Sequence, residues 1–263
     1  MLNKNYMNKK SMIYEKKELV GIIVIDRPNF KNAINDQMVS ELTDIRNKIN
    51  RDNDVKVVIF TGAGQEAFSV GTDEKEFFSN EDKLIRIERL SLASIVGTFK
   101  CPTIAAINGD AFGQGFELGL ACDLRICSKN SRFAMTQVTD GEIPWDGGTQ
   151  RLSRLVGKGK ALELILTGEV IDAQEAFRIG LVSQVVPSDD LMVVAMDMAR
   201  EMASKGPIAL KYAKEAIHKG MDLTLEQGLR LEADLYLLIH TTKDRTEGIQ
   251  AFREKKTPKF EGR

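Results

Sequence analysis

The stretch from Ile104 to Asp123, I-A-A-I-N-G-D-A-F-G-Q-G-F-E-L-G-L-A-C-D, constrains the fold of this chain more than any other. An apolar strand ends in Asn108-Gly109. A loop carrying Gly113 and Gly115 follows, and the apolar segment that comes next reads as a helix over 114–121. That helix holds one acid, Glu117, amid Phe116, Leu118, Leu120 and Ala121. A buried carboxylate in such company is costly unless it has a partner or a chemical role. Backbone N–H groups at a strand-to-helix turn also point outward and favour negative charge.

The same event occurs earlier. The buried run Val55 to Phe60 closes at Gly62 and Gly64, and the loop Ala67-Phe68-Ser69-Val70-Gly71-Thr72-Asp73 follows. Two strand-then-glycine-loop units make a faint internal repeat. Further strands are expected at Gly21–Ile25 and Leu124–Cys127. Asn35 or Asp36 caps a helix with Val39, Leu42, Ile45 and Ile49 on one face. Lys83 to Phe99 is helical by period. The alternation of strand and helix predicts an α/β fold.

After Pro187 four helical segments follow, at about 188–204, 207–219, 224–239 and 244–255 by apolar period. Leu225, Leu229, Leu231, Leu235 and Leu238 make the third broadly apolar, which calls for a second covering surface. The expected division is a flexible tail at 1–11, a core with the site at 12–187 and a helical oligomerisation region at 188–263.

Composition removes several classes of function. Lys plus Arg is 37 and Asp plus Glu is 38, so the net charge of −1 argues against nucleic-acid or membrane-surface binding. No apolar run is long enough to span a bilayer. Cys101, Cys122 and Cys127 form no C-x-x-C pair, and the only histidines, His218 and His240, lie far along the chain. No metal site is expected, and reduced cysteines fit a cytoplasmic protein.

The glycine turn is not a dinucleotide fingerprint. Gly113-x-Gly115-x-x-x-Gly119 is one residue too long, and no Walker lysine follows. If the two glycine loops meet in space, two backbone N–H groups form an oxyanion hole, each donor worth about 10²–10³ in rate.

At this point the chain resembles the crotonases, the enoyl-CoA hydratase/isomerase superfamily. The resemblance runs from about Ile13 to Arg263. It is carried by D-R-P-N-F-K-N-A-I-N at 26–35, A-F-S-V-G-T-D at 67–73 and the 104–123 stretch. Further matches are I-P-W-D-G-G-T-Q-R-L at 143–152, L-T-G-E-V-I-D-A-Q-E-A-F-R-I-G-L-V at 166–182 and G-I-Q-A-F-R-E-K-K-T-P-K-F at 248–260. It implies a spiral of ββα units with a helical C-terminal part that forms trimers, commonly paired into hexamers. It also implies an acyl-CoA substrate, with CoA arriving as part of that substrate and no separate cofactor. The thioester carbonyl is expected between the N–H groups of Val70 and Gln114, the latter standing where the family usually has glycine. Lys31 and Ala33 match the CoA path, and Phe252 and Lys255 fall in a tail that often reaches CoA. Ser69, Gly71, Asp73, Gly113, Trp145 and Asp146 complete the expected substrate-binding set. Asp73 and Asp123 also have plain structural readings; Glu142 and Asp146 flank Pro144-Trp145 on a predicted loop, where the plain reading is solvent exposure.

Hydratases of this family hold one water between two glutamates. Glu117 matches the first. The second should follow the pattern F-x-x-P-E, but here the segment is Phe133-Ala-Met-Thr-Gln137. An amide cannot take a proton as a carboxylate can, although it can orient a water. Three readings stay open. Glu117 acts alone with Gln137 orienting the water; a displaced acid (Asp140, Glu142 or Asp146) substitutes; or the reaction is isomerisation, decarboxylation or hydrolysis of an acyl-CoA. The favoured expectation is hydration of a 2-enoyl-CoA or, from the Q-V-T-x-G-x-I-P-W-D-G-G run, a cyclic dienoyl-CoA. A non-catalytic CoA-binding subunit is the rival from another class.

Overall fold

The computed structural model describes residues 10–73 and 91–263. Among the described residues ten strands form two sheets: β1 (Met12–Lys17), β2 (Val20–Ile25), β3 (Val57–Gly62), β4 (Ala67–Ser69), β5 (Thr103–Ile107), β6 (Asp110–Phe112), β7 (Leu124–Ser128), β8 (Arg132–Ala134), β9 (Ile171–Asp172) and β10 (Gln184–Val186). The larger sheet has the order β1-β2-β3-β5-β7-β10, the smaller β4-β6-β8-β9. From β3 to β8 each turn of the chain lays a longer strand in the first sheet and a short one in the second. After β5 and β6 comes helix α3 (Gly113–Ala121), so the faint glycine-loop repeat is a ββα spiral.

The first sheet is parallel apart from β1 on β2. Its central strands are buried on both faces, which is why they read as unbroken apolar runs. Side chains alternate. Val58 and Phe60 enter the main core, where the Phe60 ring meets Phe99 edge-on at 5.6 Å. Val57 and Ile59 enter a second core with Ile104, Ala106 and Ile126.

Helix α1 (Asp36–Arg51) is capped by Asn35, whose side chain accepts from Met38 N at 3.3 Å; of the two expected caps, Asn35 is the one used. The helix α2 (Leu92–Val96) carries the described part of the Lys83–Phe99 expectation; residues 83–90 lie outside the described residues. Helices α4 (Gly148–Val156) and α5 (Lys158–Thr167) lie between β8 and β9, and α6 (Ala173–Arg178) follows β9.

Two expected boundaries move. Ser11, assigned to the tail, is buried; its N–H donates to Glu41 Oε2 at 3.0 Å and its carbonyl accepts from Asp26 N at 2.7 Å. Helix α7 (Leu191–Ala203), placed with the oligomerisation helices, instead covers the second face of the large sheet with Leu191, Ala195 and Ala199. A strand run buried on both faces needs a cover on each, and α7 supplies one. The less buried helices are α8 (Pro207–Gly220), α9 (Leu225–Ile239) and α10 (Lys243–Glu254). Leu225, Leu229, Leu237 and Phe252 stand exposed on them.

Candidate active site

The two glycine loops do meet. β4 pairs with β6 in parallel, Ala67 opposite Asp110 and Ser69 opposite Ala111. Gly71 has φ +97°, and a Cβ there would sit 3.1 Å from Phe112 O and 3.2 Å from Gln114 N. A side chain at this position is therefore strained by conformation and crowded by the approach of the chain entering α3. Gln114 lies in the first turn of α3, where N–H groups are directed outward along the axis.

A cavity of about 110 Å³ opens beside this junction. Val70, Gly71, Thr72, Gly113, Gln114, Thr136, Gln137, Asp140, Glu142 and Trp145 line it. Six residues of the expected set thus share one wall: Val70, Gly71, Gly113, Gln114, Gln137 and Trp145. Thr72 and Thr136 join them without having been singled out.

Glu117 projects from α3 and is completely buried. Its Oε1 accepts from Gly148 N at 2.7 Å and from Asp146 N at 2.9 Å; its Oε2 accepts from Gln137 Nε2 at 3.0 Å. Burial pushes its carboxyl up to about 7, against the lowering effect of the Gly148 and Asp146 N–H bonds and of Arg151; the Asp146 charge adds to the rise. Desolvation wins because it disfavours the ion outright, whereas each N–H only partly replaces water. The result is an acid that changes protonation near neutral pH, as a group that both takes and returns a proton requires.

Gln137 sits on a 3-10 turn (Thr136–Asp140) and is the contact between cavity and acid. Its Nε2 is committed to Glu117, while its Oε1 is buried with no hydrogen-bond partner. A buried carbonyl oxygen left in that state is unfavourable and marks a place for a donor.

Of the displaced acids, Asp146 is neither at the cavity wall nor exposed on its loop as its plain reading had it; it is buried among hydrogen-bond donors. Its carboxylate accepts from Ser91 Oγ at 2.5 Å, Ala93 N at 2.9 Å and Gln114 Nε2 at 3.3 Å. Asp140 and Glu142 reach the wall but are exposed. Asp73, expected among the substrate contacts, pairs with Arg27 at 2.9 Å. Asp123 takes its structural reading, though with Lys214 at 2.8 Å and His218 at 2.7 Å rather than an arginine. His218, given no role from sequence, is thus a tether for α8.

Val70 brings a further finding. Its N–H already donates to Lys31 O at 3.2 Å, because residues 31–34 run alongside 70–73: Ile34 N donates to Gly71 O and Asp73 N to Ile34 O. A thioester oxygen must share or take over this long bond. Ser69 is fully buried and its Oγ accepts from Gly71 N at 3.3 Å, so it shapes the loop from beneath. Ala33 is buried, its carbonyl held by Arg27 Nη1 at 2.7 Å. Phe252 and Lys255 stand on the C-terminal helix and its cap, and neither lines this cavity.

Sequence reasoning missed the two N–H donors that grip Glu117. Only Gly148 had a signal. A Cβ at Gly148 would lie 2.9 Å from Glu117 Oε1 and 2.8 Å from Pro144 Cβ. The glycine permits the approach of the backbone to the acid.

Comparison with known proteins agrees with this geometry. The Enoyl-CoA hydratase/isomerase family model matches residues 15–263. A short-chain-enoyl-CoA hydratase of Clostridium acetobutylicum is 39% identical over 97% of this chain and 98% of its own length. A 2,3-dehydroadipyl-CoA hydratase of Escherichia coli is 38% identical over 96% of this chain and 99% of its own. The crystal structure of an enoyl-CoA hydratase from Bacillus anthracis superposes with a TM-score of 0.93 at 41% identity, covering 97% of this chain and all of that one. The ββα spiral, the glycine-loop junction and a match over nearly the whole length place one conclusion on the molecule: the chain belongs to the enoyl-CoA hydratase/isomerase family, the crotonase superfamily.

Proposed function

We propose that the protein adds water across the C=C bond of a 2-enoyl-CoA thioester, with Glu117 as the only proton-handling carboxylate. The observation that carries this is the Glu117–Gln137 pair: a buried acid poised near neutrality, bonded to an amide whose carbonyl oxygen has no partner. The thioester carbonyl accepts from the N–H groups of Val70 and Gln114, which draws electron density from Cβ. A water that donates to Gln137 Oε1 and to Glu117 attacks Cβ as Glu117 takes its proton. The enolate is held by the two N–H donors, and Glu117 then returns the proton to Cα. Both hydrogens of the water and its oxygen end on the product.

Addition of water changes no net oxidation state, so the scheme needs no redox group; the two backbone N–H donors polarise the carbonyl, and CoA enters and leaves as part of the ester. Asp140 and Glu142 border the cavity and do not replace a second glutamate in this reading; Asp146 is turned to other partners. The exposed Leu225, Leu229, Leu237 and Phe252 support assembly into a homotrimer or homohexamer. Three free cysteines support a reducing compartment, in our reading the cytoplasm. Among the described residues no helix is long and apolar enough to cross a membrane.

The test is a mass-resolved assay with crotonyl-CoA and with cyclohexa-1,5-diene-1-carbonyl-CoA. Gain of one water on either, lost in Glu117→Gln with CoA-ester affinity kept, supports the reading, and the preferred ester defines the acyl group. No gain on either ester despite tight binding sinks it and turns attention to isomerisation, decarboxylation or a binding role.

A further inference from the structure

The two donors of the oxyanion hole sit on different segments, Val70 on the loop after β4 and Gln114 on the first turn of α3. Their spacing matters, because a hole is effective only when both N–H groups lie within hydrogen-bond reach of one oxygen. A glycine at position 114 would supply the N–H but nothing to hold the segments in register. Here the position carries a long amide, and that amide is engaged at both ends. Gln114 Oε1 accepts from Thr72 Oγ1 at 2.9 Å, two residues beyond Val70. Gln114 Nε2 donates to Asp146 Oδ2 at 3.3 Å. Gln114 is buried.

Asp146 extends the link. Its backbone N–H grips Glu117 Oε1 at 2.9 Å while its carboxylate holds the Gln114 amide. That carboxylate is itself fixed by Ser91 Oγ and Ala93 N, so the anchor at this end does not swing. Arg151 Nη1 donates to Asp146 O at 2.7 Å and fixes the backbone on the other side. The line Thr72–Gln114–Asp146 therefore crosses from one oxyanion loop, over the second, to the loop that holds the acid.

We infer that the Gln114 side chain is a positioning residue that braces the oxyanion hole, tying the Val70 loop to the Glu117-binding loop through Thr72 Oγ1 and Asp146 Oδ2. This rests on the hydration reading only for what the hole acts upon; the brace itself is a property of the three loops. Its effect is preorganisation. With the brace in place the two donors need no adjustment when charge develops on the thioester oxygen, and the acid keeps its distance to that oxygen. A displacement of about 1 Å in such a constellation costs on the order of 10²-fold in rate.

The experiment compares Gln114→Met, which keeps length and apolar volume, and Gln114→Gly and Thr72→Val with the unsubstituted protein. Two quantities are read: kcat and KM for crotonyl-CoA hydration, and the carbonyl stretch of isotope-labelled butyryl-CoA, which binds but has no C=C to hydrate. A polarising hole lowers that stretch. All three substitutions leave the backbone N–H groups in place. The expected result is a kcat loss of about 10- to 100-fold in Gln114→Met, KM within about threefold, and a smaller lowering of the stretch. Thr72→Val, which removes one hydroxyl only, should move both readouts in the same direction by less, and Gln114→Gly should resemble Gln114→Met. An unchanged stretch with kcat within about twofold in Gln114→Met and Thr72→Val overturns the brace. Lowering of the stretch by the unsubstituted protein without any hydration of crotonyl-CoA overturns the hydration reading alone, and the brace is then judged on the stretch.

Discussion

Gln137 donates through Nε2 to Glu117 Oε2 at 3.0 Å, so an amide stands against the acid at the position where the sequence resemblance implies a second carboxylate. The neutral partner removes the like-charge repulsion that two buried carboxylates would impose. It also removes one of two proton-handling groups, which leaves both proton transfers to Glu117.

Replacing Gln137 tests that division. Gln137→Ala should lower kcat by about 10- to 100-fold, since the water loses its acceptor while Glu117 remains. Gln137→Glu should retain turnover but move the acid limb of the pH–rate profile upward, because a neighbouring carboxylate raises the Glu117 value further. Profiles of kcat/KM against pH for the three proteins decide it; an acid limb that moves downward in Gln137→Glu contradicts the assignment.

Glu117 also makes stability depend on pH. Its folded value near 7 lies above the 4.5 of a free glutamate, so the native state binds more protons than the unfolded state between these values. Stability should therefore fall as pH rises from about 4.5 to about 7 and stay lower above it, a loss of up to about 3 kcal/mol. Glu117→Gln cannot ionise and should escape this slope. Urea unfolding of both proteins at pH 5 and pH 8 measures it, and parallel losses in the two would show that other groups are responsible.

Gly148→Ala should impair catalysis more than its one methyl suggests. The new Cβ presses on Glu117 Oε1, Pro144 and Met135, and the N–H bond at 2.7 Å must open. Overpacking of this kind costs about 1–3 kcal/mol, and the acid moves with it. Thermal unfolding and kcat should both drop; full activity in the alanine variant would mean that the loop relaxes without moving Glu117.

Asp123→Asn should separate stability from catalysis. The carboxylate holds Thr103, Lys214 and His218, and these contacts keep its own value low despite burial. Removing one partner of a largely buried pair costs about 3–5 kcal/mol, here by leaving Lys214 uncompensated. In the unsubstituted protein this contribution is present above the free aspartate value of 3.8 and lost as pH falls through the lower folded value. The midpoint of denaturation should fall while kcat for crotonyl-CoA stays within about twofold. A matching loss of kcat would tie α8 to the site.

By itself the sequence determined the local features. Unbroken apolar runs marked β3 and β5 as strands buried on both faces, and the 3.6-residue period marked the late helices. Glycines at 71 and 113 marked turns that need a positive φ, Gly115 marked a place where a Cβ would strike the Ser69 backbone, and a single acid in an apolar helix marked Glu117. Each depends on neighbours in the chain, so residue type suffices to read it. Only the tertiary structure decided which groups meet. The grip on Glu117 comes from the backbone of Asp146 and Gly148, and a backbone N–H has no residue-type signature. Asp146 could be named as a candidate acid from its position, but its orientation toward Ser91, Ala93 and Gln114 arises from packing between distant segments. The same holds for Val70, whose N–H is engaged by Lys31 because two loops run side by side, and for α7, which joins the core because the large sheet has a second face to cover. Propensity and pattern act along the chain; desolvation and hydrogen-bond pairing act across it, and the site is built from the second kind.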